Sequence, residues 1–261
     1  MFGETWPEID SDSDRAAFRQ VADHIREAIE SNRLREGDKI PSETHLMEHY
    51  GVARMTVRNA LQVLQGEGLT VAEHGRGVFV RSRPPVRRLA SDRFARRHRE
   101  QGKAAFIAET EEAGAQPSVD SITVDVCRPP GHVAERLNVS AEQKTIFRSR
   151  RYLINGQPVE TAMSYIPQEI AASTAIAEVD PGPGGIYARL EDLGYCLDHF
   201  VEDVTSRMPL RHEIRALKLA RGVPIIHLVR TAVTRDGRAV EVCDTVMSSD
   251  AYILSYELPA R

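Results

Sequence analysis

VARMTVRNALQVLQGEG, Val52 to Gly68, places two demands on one short helix. Val57, Leu61 and Leu64 recur at i, i+4 and i+7, the spacing of a buried stripe. Arg54 and Arg58 stand one turn apart on another face, with Asn59 and Gln62 nearby. On an isolated helix such arginines read as ordinary solvated charges, so the flanking sequence decides what they are for. Upstream, Phe18, Val21, Ile25 and Ile29 give the rhythm of an amphipathic helix starting near Asp14. SNRLREGDKIP breaks it, with Gly37 and Pro41 as punctuation. Ser42 then stands as an N-cap before a short helix through Leu46 and Tyr50, and Gly51 ends that helix as a left-handed residue. Downstream, LTVAEHGRGVFVR alternates around a glycine turn and reads as a β-hairpin.

Three helices and a hairpin over residues 14–82 make a helix-turn-helix with a wing. Its third helix would carry Arg54, Arg58 and Asn59 into a DNA major groove. There arginine can bond guanine O6 and N7, and asparagine can read adenine. The hairpin tip, His74-Gly75-Arg76, would approach the DNA backbone closely. Residues 1–13, with Asp and Ser alternating at the end, read as a loose acidic tail.

The composition agrees with a local site rather than a generally basic protein. The 261 residues are 41% hydrophobic and carry a net charge of −4, so any nucleic-acid surface must be a patch. Cys127, Cys196 and Cys243 lie far apart without a C-x-x-C pair, which argues against a disulfide framework or a zinc knuckle and fits a reducing cytoplasm. The acidic N-terminus has no basic-then-apolar leader, and the strongest apolar run, GVPIIHLVRTAV, is too short to span a bilayer. The expectation is a cytoplasmic protein without membrane partners.

SRPPVRR follows the hairpin, and the basic segment 83–103 reads as a linker, with Arg83, Arg87, Arg88, Arg93, Arg96, Arg97 and Arg99 set against Asp92 and Glu100. Residues 104–261 then form a mixed α and β domain. SITVDVC, TIFRSRRYLI, PIIHLVRTAVT and AVEVCDTVM predict strands, and GHVAERLNV and RHEIRALKL predict short helices. These pieces repeat: His132 to Glu160 matches His212 to Glu241, with Arg150 opposite Arg230 and PVE opposite AVE. The offset, roughly 80 residues, is too long for a solenoid unit and predicts two similar helix–hairpin units in one sheet.

GDKIPSETHLMEHYGVARMTVRNALQVLQGEGLTVAEHGRGVFV, Gly37 to Val80, resembles the winged-helix domain of the GntR family of bacterial transcription regulators. That family has a PSE helix start, a third helix V-[ST]-R-x-T-V-R-x-A-L and a wing G-x-G-[TV]-[FY]-V. The rest of the chain, with R-x-x-x-x-x-x-G-x-P-V from Arg150, S-Y-I-P from Ser164 and a terminal D-x-Y, resembles the UTRA effector domain of the HutC subfamily. The resemblance implies an α+β chain: a winged helix-turn-helix joined to a chorismate-lyase-like antiparallel-sheet domain. By position, it implies DNA contacts at Thr44, Arg54, Thr56, Arg58, His74 and Gly75; the residue types add Asn59 and Arg76. Thr44 stands where the family often has arginine, and Ala53 replaces a Ser or Thr N-cap worth about 1 kcal/mol.

For the effector, the resemblance and the repeat together select Arg150, Tyr152, Glu160, Ser164, Tyr165, Arg230, Glu241 and Tyr252. Glu160, Arg230 and Glu241 read equally well as cross-strand ion pairs. Members that bind sugar phosphates have an R-x-R pair and a Glu in E-x-S-Y-x-P. Reading the pair as Arg150 then Tyr152, with Ala162 at the Glu position and Met247, Ser248, Asp250 and Tyr252 at the terminal pattern, leaves few cations and favours a less charged or aromatic ligand.

No catalytic set, metal site or cofactor is predicted. His45 and His49 are explained by the second helix, RHEIR lacks the second His of H-E-x-x-H, and DPGPGG lacks the Lys of a P-loop. The expected function is a homodimeric repressor released from a palindromic double-stranded DNA operator by a small-molecule effector. An activator or co-effector-dependent regulator, a lyase-like enzyme using Arg150 and Glu160, and a protein-interaction module are the alternatives.

Overall fold

A computed structural model describes residues 6–73, 75–81, 86–89, 97 and 101–258. The chain divides into two compact units, one built on residues 1–83 and one on residues 84–219 and 224–261. Among the described residues no helix is long and apolar enough to cross a membrane.

In the first unit α1 (Ala17–Glu30), α2 (Glu43–Tyr50) and α3 (Arg54–Gly66) precede a hairpin of β1 (Thr70–Glu73) and β2 (Gly77–Val80). Val57 and Leu64 of α3 are fully buried and Leu61 nearly so, packed with Val21, Ile25 and Leu46. The capping chemistry acts as the sequence predicts. Ser42 Oγ accepts the His45 N–H at 3.2 Å, Gly51 closes α2 at φ 62°, and Ala53 gives α3 no side-chain cap. The acidic N-terminus departs from expectation. From Trp6 onward it is held: Trp6 and Ile9 pack on the core, and Gln20 clasps the Asp10 backbone through both its amide oxygen and nitrogen. Two apolar residues outweigh the surrounding charge.

The second unit is built on a six-stranded antiparallel sheet with helices on both faces and a separate two-stranded parallel pair. Its elements are β3 (Val86–Leu89), α4 (Ala105–Glu112), β4 (Pro117–Cys127), α5 (Gly131–Leu137), β5 (Thr145–Ile154) and β6 (Gln157–Pro167). After the short α6 (Gln168–Ala171) come α7 (Gly185–Asp192), β7 (Leu197–Arg207), α8 (Arg211–Leu217), β8 (Ile225–Thr234), β9 (Ala239–Ser248) and β10 (Tyr252–Ser255). The order β4-β5-β6-β9-β8-β7 is symmetric about its centre. The predicted repeat is therefore real, and it is larger than the helix–hairpin unit: α4, β4, α5, β5 and β6 recur as α7, β7, α8, β8 and β9. The halves interlock, since α5 packs on β9 and α8 on β6.

Part of the expected linker is no linker. Val86–Leu89 forms β3, paired in parallel with β10, and Val86 is fully buried. Residues 82–85, 90–96 and 98–100 lie outside the described residues. The double proline in the sequence hides the strand that follows it.

Candidate functional site

The exposed side of α3 carries Arg54, Arg58 and Asn59, with Thr56 half-buried beside them and Thr44 exposed on α2. Glu43, the first residue of α2, organises the arginines: Arg58 Nε donates to its carboxylate at 3.0 and 3.2 Å, and Arg54 Nε lies 3.9 Å away. Both guanidinium groups stay at least half exposed, so the pairing is a loose tether and not a buried bond. At the wing, exposed Gly75 adopts φ 73°, and Arg76 pairs with Glu73 and lies over the Phe79 ring at 5.4 Å. His74 lies outside the described residues.

The second unit holds a cavity of about 480 Å³. Its floor is the sheet: Arg148, Arg150 and Tyr152 from β5, and Arg230 from β8. Its rim brings in the first turns of α4 and α7, helices in equivalent places in the two halves, together with the loop Val179–Gly182. Helix first turns present unpaired N–H groups and a partial positive charge, so both favour an anion. The DPGPGG segment, which carries no P-loop signature, is thus a wall of the cavity. Gly182, Gly184 and Gly185 all have positive φ, allowing the chain to turn into α7.

Strand alternation sorts the predicted residues. Arg150, Tyr152 and Arg230 line the cavity. Arg150 donates to the Tyr152 hydroxyl at 2.6 Å and to Ser164 Oγ at 2.9 Å, which puts Ser164 directly behind it. Glu241 accepts the Tyr187 hydroxyl at 2.6 Å; burial, then the neighbouring carboxylate, drives that phenol's pKa well up. Arg230 Nε donates to Glu202 at 2.8 Å, and the two residues are register partners, so the cross-strand ion-pair reading holds for Arg230. Tyr165 does not join the site. Its neighbour Ser164 faces the cavity side, and Tyr165 faces the other, packed with Val133, Leu137 and Val242. Burial pushes its phenol up to about 12, leaving it neutral.

Glu160 and Tyr252 belong to a buried knot that the sequence did not disclose. Arg88, on β3, is 2% exposed and donates to Glu160 at 2.6 Å and Glu109 at 3.1 Å. The Tyr252 hydroxyl donates to Glu160 at 2.9 Å, and the Arg88 guanidinium lies 4.6 Å from the Tyr252 ring centre. Burial opposes the Arg88 charge, but Glu160 and Glu109 overcome it and raise its pKa. Glu160 is also the register partner of Tyr152, so this knot lies one strand from the cavity.

Arg148 is the second missed residue. It donates to the carbonyls of Ile176 at 2.7 Å, of Glu178, and of Val179 at 3.0 Å, tying down the loop at the cavity wall. Burial and then Arg150 pull its pKa down, though a guanidinium stays charged. Arg148 and Arg150, two apart on one strand, share a face, and this pair meets the R-x-R spacing. With Arg148 the cavity holds three guanidinium groups beside Tyr152, more positive charge than the pairing of Arg150 with Tyr152 alone implies.

The chain resembles known proteins over nearly its whole length. A model of the bacterial regulatory proteins of the gntR family matches residues 17–80, and a UTRA domain model matches residues 112–253. An uncharacterized HTH-type transcriptional regulator of Streptomyces coelicolor is 30% identical over 92% of this chain and 91% of its own. The HTH-type transcriptional repressor NagR of Bacillus subtilis is 24% identical over 94% and 95%. A solved structure of a putative GntR-family transcriptional regulator superposes with a TM-score of 0.64 at 25% identity, covering 95% of this chain and 99% of that one.

Proposed function

The chain belongs to the GntR family of bacterial regulatory proteins and carries a UTRA domain, and from that premise we propose a homodimeric repressor released from its operator by a small anionic metabolite. It is a ligand-responsive DNA-binding transcription regulator, and its relatives are regulators and not enzymes. A lyase-like role for Arg150 with Glu160 finds no support: Glu160 is engaged by Arg88 and Tyr252, and Arg150 by Tyr152 and Ser164.

One observation carries the anionic reading. Among the described residues, neither Arg148 nor Arg150 has a carboxylate within ion-pair distance, although both line the cavity beside two helix first turns. Such cations are held for a charge that arrives with the ligand. Tyr152 and Phe106, whose rings lie 4.4 Å apart between centres at the same cavity, suit the less polar part of that molecule. Repression is supported by the name of the relative NagR. Two copies would set two recognition helices on a near-palindrome.

The route from cavity to DNA-binding unit is proposed to pass through Arg88. Glu109 lies on α4, whose first turn rims the cavity, and Glu160 pairs in register with Tyr152, which lines it. A ligand that shifts α4 or β5 therefore changes the setting of β3, the strand nearest in sequence to the winged helix.

The test is calorimetry with matched sugars, neutral, phosphorylated and oxidised to acids. Binding by an anionic member and not by its neutral parent, lost in Arg150→Met, is expected. Equal binding of the neutral parent, unaffected by Arg150→Met, would sink the anionic reading.

A further inference from the structure

Among the described residues of the first unit, one large hydrophobic side chain is exposed: Met55, at 61%. A single exposed apolar residue is ordinary on a protein surface, and only its place gives it meaning. Met55 sits in the first turn of α3, between Arg54 and Thr56, at the end of a recognition helix that meets base edges.

The helix geometry makes that place specific. With about 100° per residue, Val57, Ala60, Leu61 and Leu64 define the centre of the buried side, and Met55 lies roughly 170° from it. Asn59 and Gln62 follow at roughly 150°, whereas Arg54 and Arg58 stand only about 70° and 110° away. The arginines are thus on the flank, drawn toward Glu43 on α2. The ridge farthest from the domain core is Met55, Asn59 and Gln62. A helix entering a groove brings that ridge nearest the base edges, and its leading residue is the one that cannot hydrogen-bond.

In the major groove only one base offers an apolar partner. Thymine presents its C5 methyl, while cytosine, adenine and guanine present donors and acceptors that a thioether would leave unpaired. The methionine chain is unbranched and ends in S–CH₃, so it can settle against such a methyl without exacting geometry. Its contribution is both attraction to thymine and a penalty for polar edges, which is how specificity arises.

We propose that Met55 is a base-reading residue, whose terminal methyl packs on the C5 methyl of a thymine adjacent to the bases met by Arg54, Arg58 and Asn59. The consequence is a thymine requirement in the operator that the arginines do not explain.

The experiment is selection of duplexes by the full-length wild-type chain, then replacement of each selected thymine in turn by uracil, which removes the methyl alone. At one position the wild type is expected to bind about fourfold more weakly, the worth of one buried methyl. Met55→Ala is expected to bind the thymine and uracil duplexes equally, while Arg58→Ala, weaker overall, retains the uracil effect. The proposal is overturned by a selected operator without an invariant thymine, or by uracil weakening Met55→Ala as much as the wild type. A wild type that enriches nothing would overturn the DNA-reading surface together with it, an outcome distinct from the first two. Because Met55 is exposed, its substitution leaves the fold intact, and thermal melting checks this.

Discussion

Arginine serves opposite purposes in the two units. In the winged helix Arg54 and Arg58 are exposed, tethered by one carboxylate, and contribute little to folding. On the cavity side of the sheet Arg88, Arg148 and Arg230 are nearly sealed from water: Arg88 is held by two carboxylates, Arg148 by three carbonyls and Arg230 by Glu202. The difference lies in what a guanidinium loses on desolvation. At the surface it keeps its water until a phosphate or base replaces it. Inside, it must be repaid by carboxylates, as for Arg88, by carbonyls, as for Arg148, or by a ligand.

The largest effect should come from breaking the buried set. Arg88→Met strands Glu160 and Glu109 without their cation and is expected to destabilise the second unit by about 3–5 kcal/mol, read from urea unfolding. A loss under about 1 kcal/mol would mean that the knot tolerates water and that buried and exposed arginines here differ little. Arg58→Ala should do the reverse. Operator affinity is expected to fall by about 1–3 kcal/mol in fluorescence anisotropy, with no shift in the unfolding midpoint.

Acidification extends the comparison to histidine. His24 stacks on Tyr50, its Nδ1 is buried without a hydrogen-bond partner, and burial, its largest influence, lowers its pKa below the usual value near 6.5. The unfolded chain therefore takes up a proton before the folded one does. Stability of the first unit is full above the unfolded pKa and declines as pH falls below it, toward the lowered folded value. Thermal melts between pH 7.5 and 5.5 should show this decline, about one proton's worth, and His24→Phe should flatten it. Smallest of all, Glu43→Gln should change stability by less than about 0.5 kcal/mol, since it removes an exposed tether. A larger loss would show that Glu43 helps hold α2 on α3.

The legibility of the sequence follows the same division. The winged helix could be read residue by residue, because caps, turns and a 3.6-residue stripe are local signals: Ser42, Gly51 and the Val57–Leu64 stripe each stand where expected. The repeat is legible through Arg150 and Arg230, but the edge strands β4 and β7 give no matching pattern, because their exposed edges carry mixed residues. The cavity was half legible. Period-two alternation alone separates Ser164 from Tyr165 and joins Arg148 to Arg150. Arg88 gave no local signal, for Glu160 lies 72 residues away and becomes its partner only through the sheet.

The parallel pairing of β3 with β10 has a mechanical consequence. A pull applied at Val86 along the axis of β3 acts against a strand lying in the same direction. Such a load shears the ladder from Val86–Tyr252 to Leu89–Ser255 all at once instead of unzipping it rung by rung. With Arg88 bolted to the sheet midway, β3 is a short, stiff anchor.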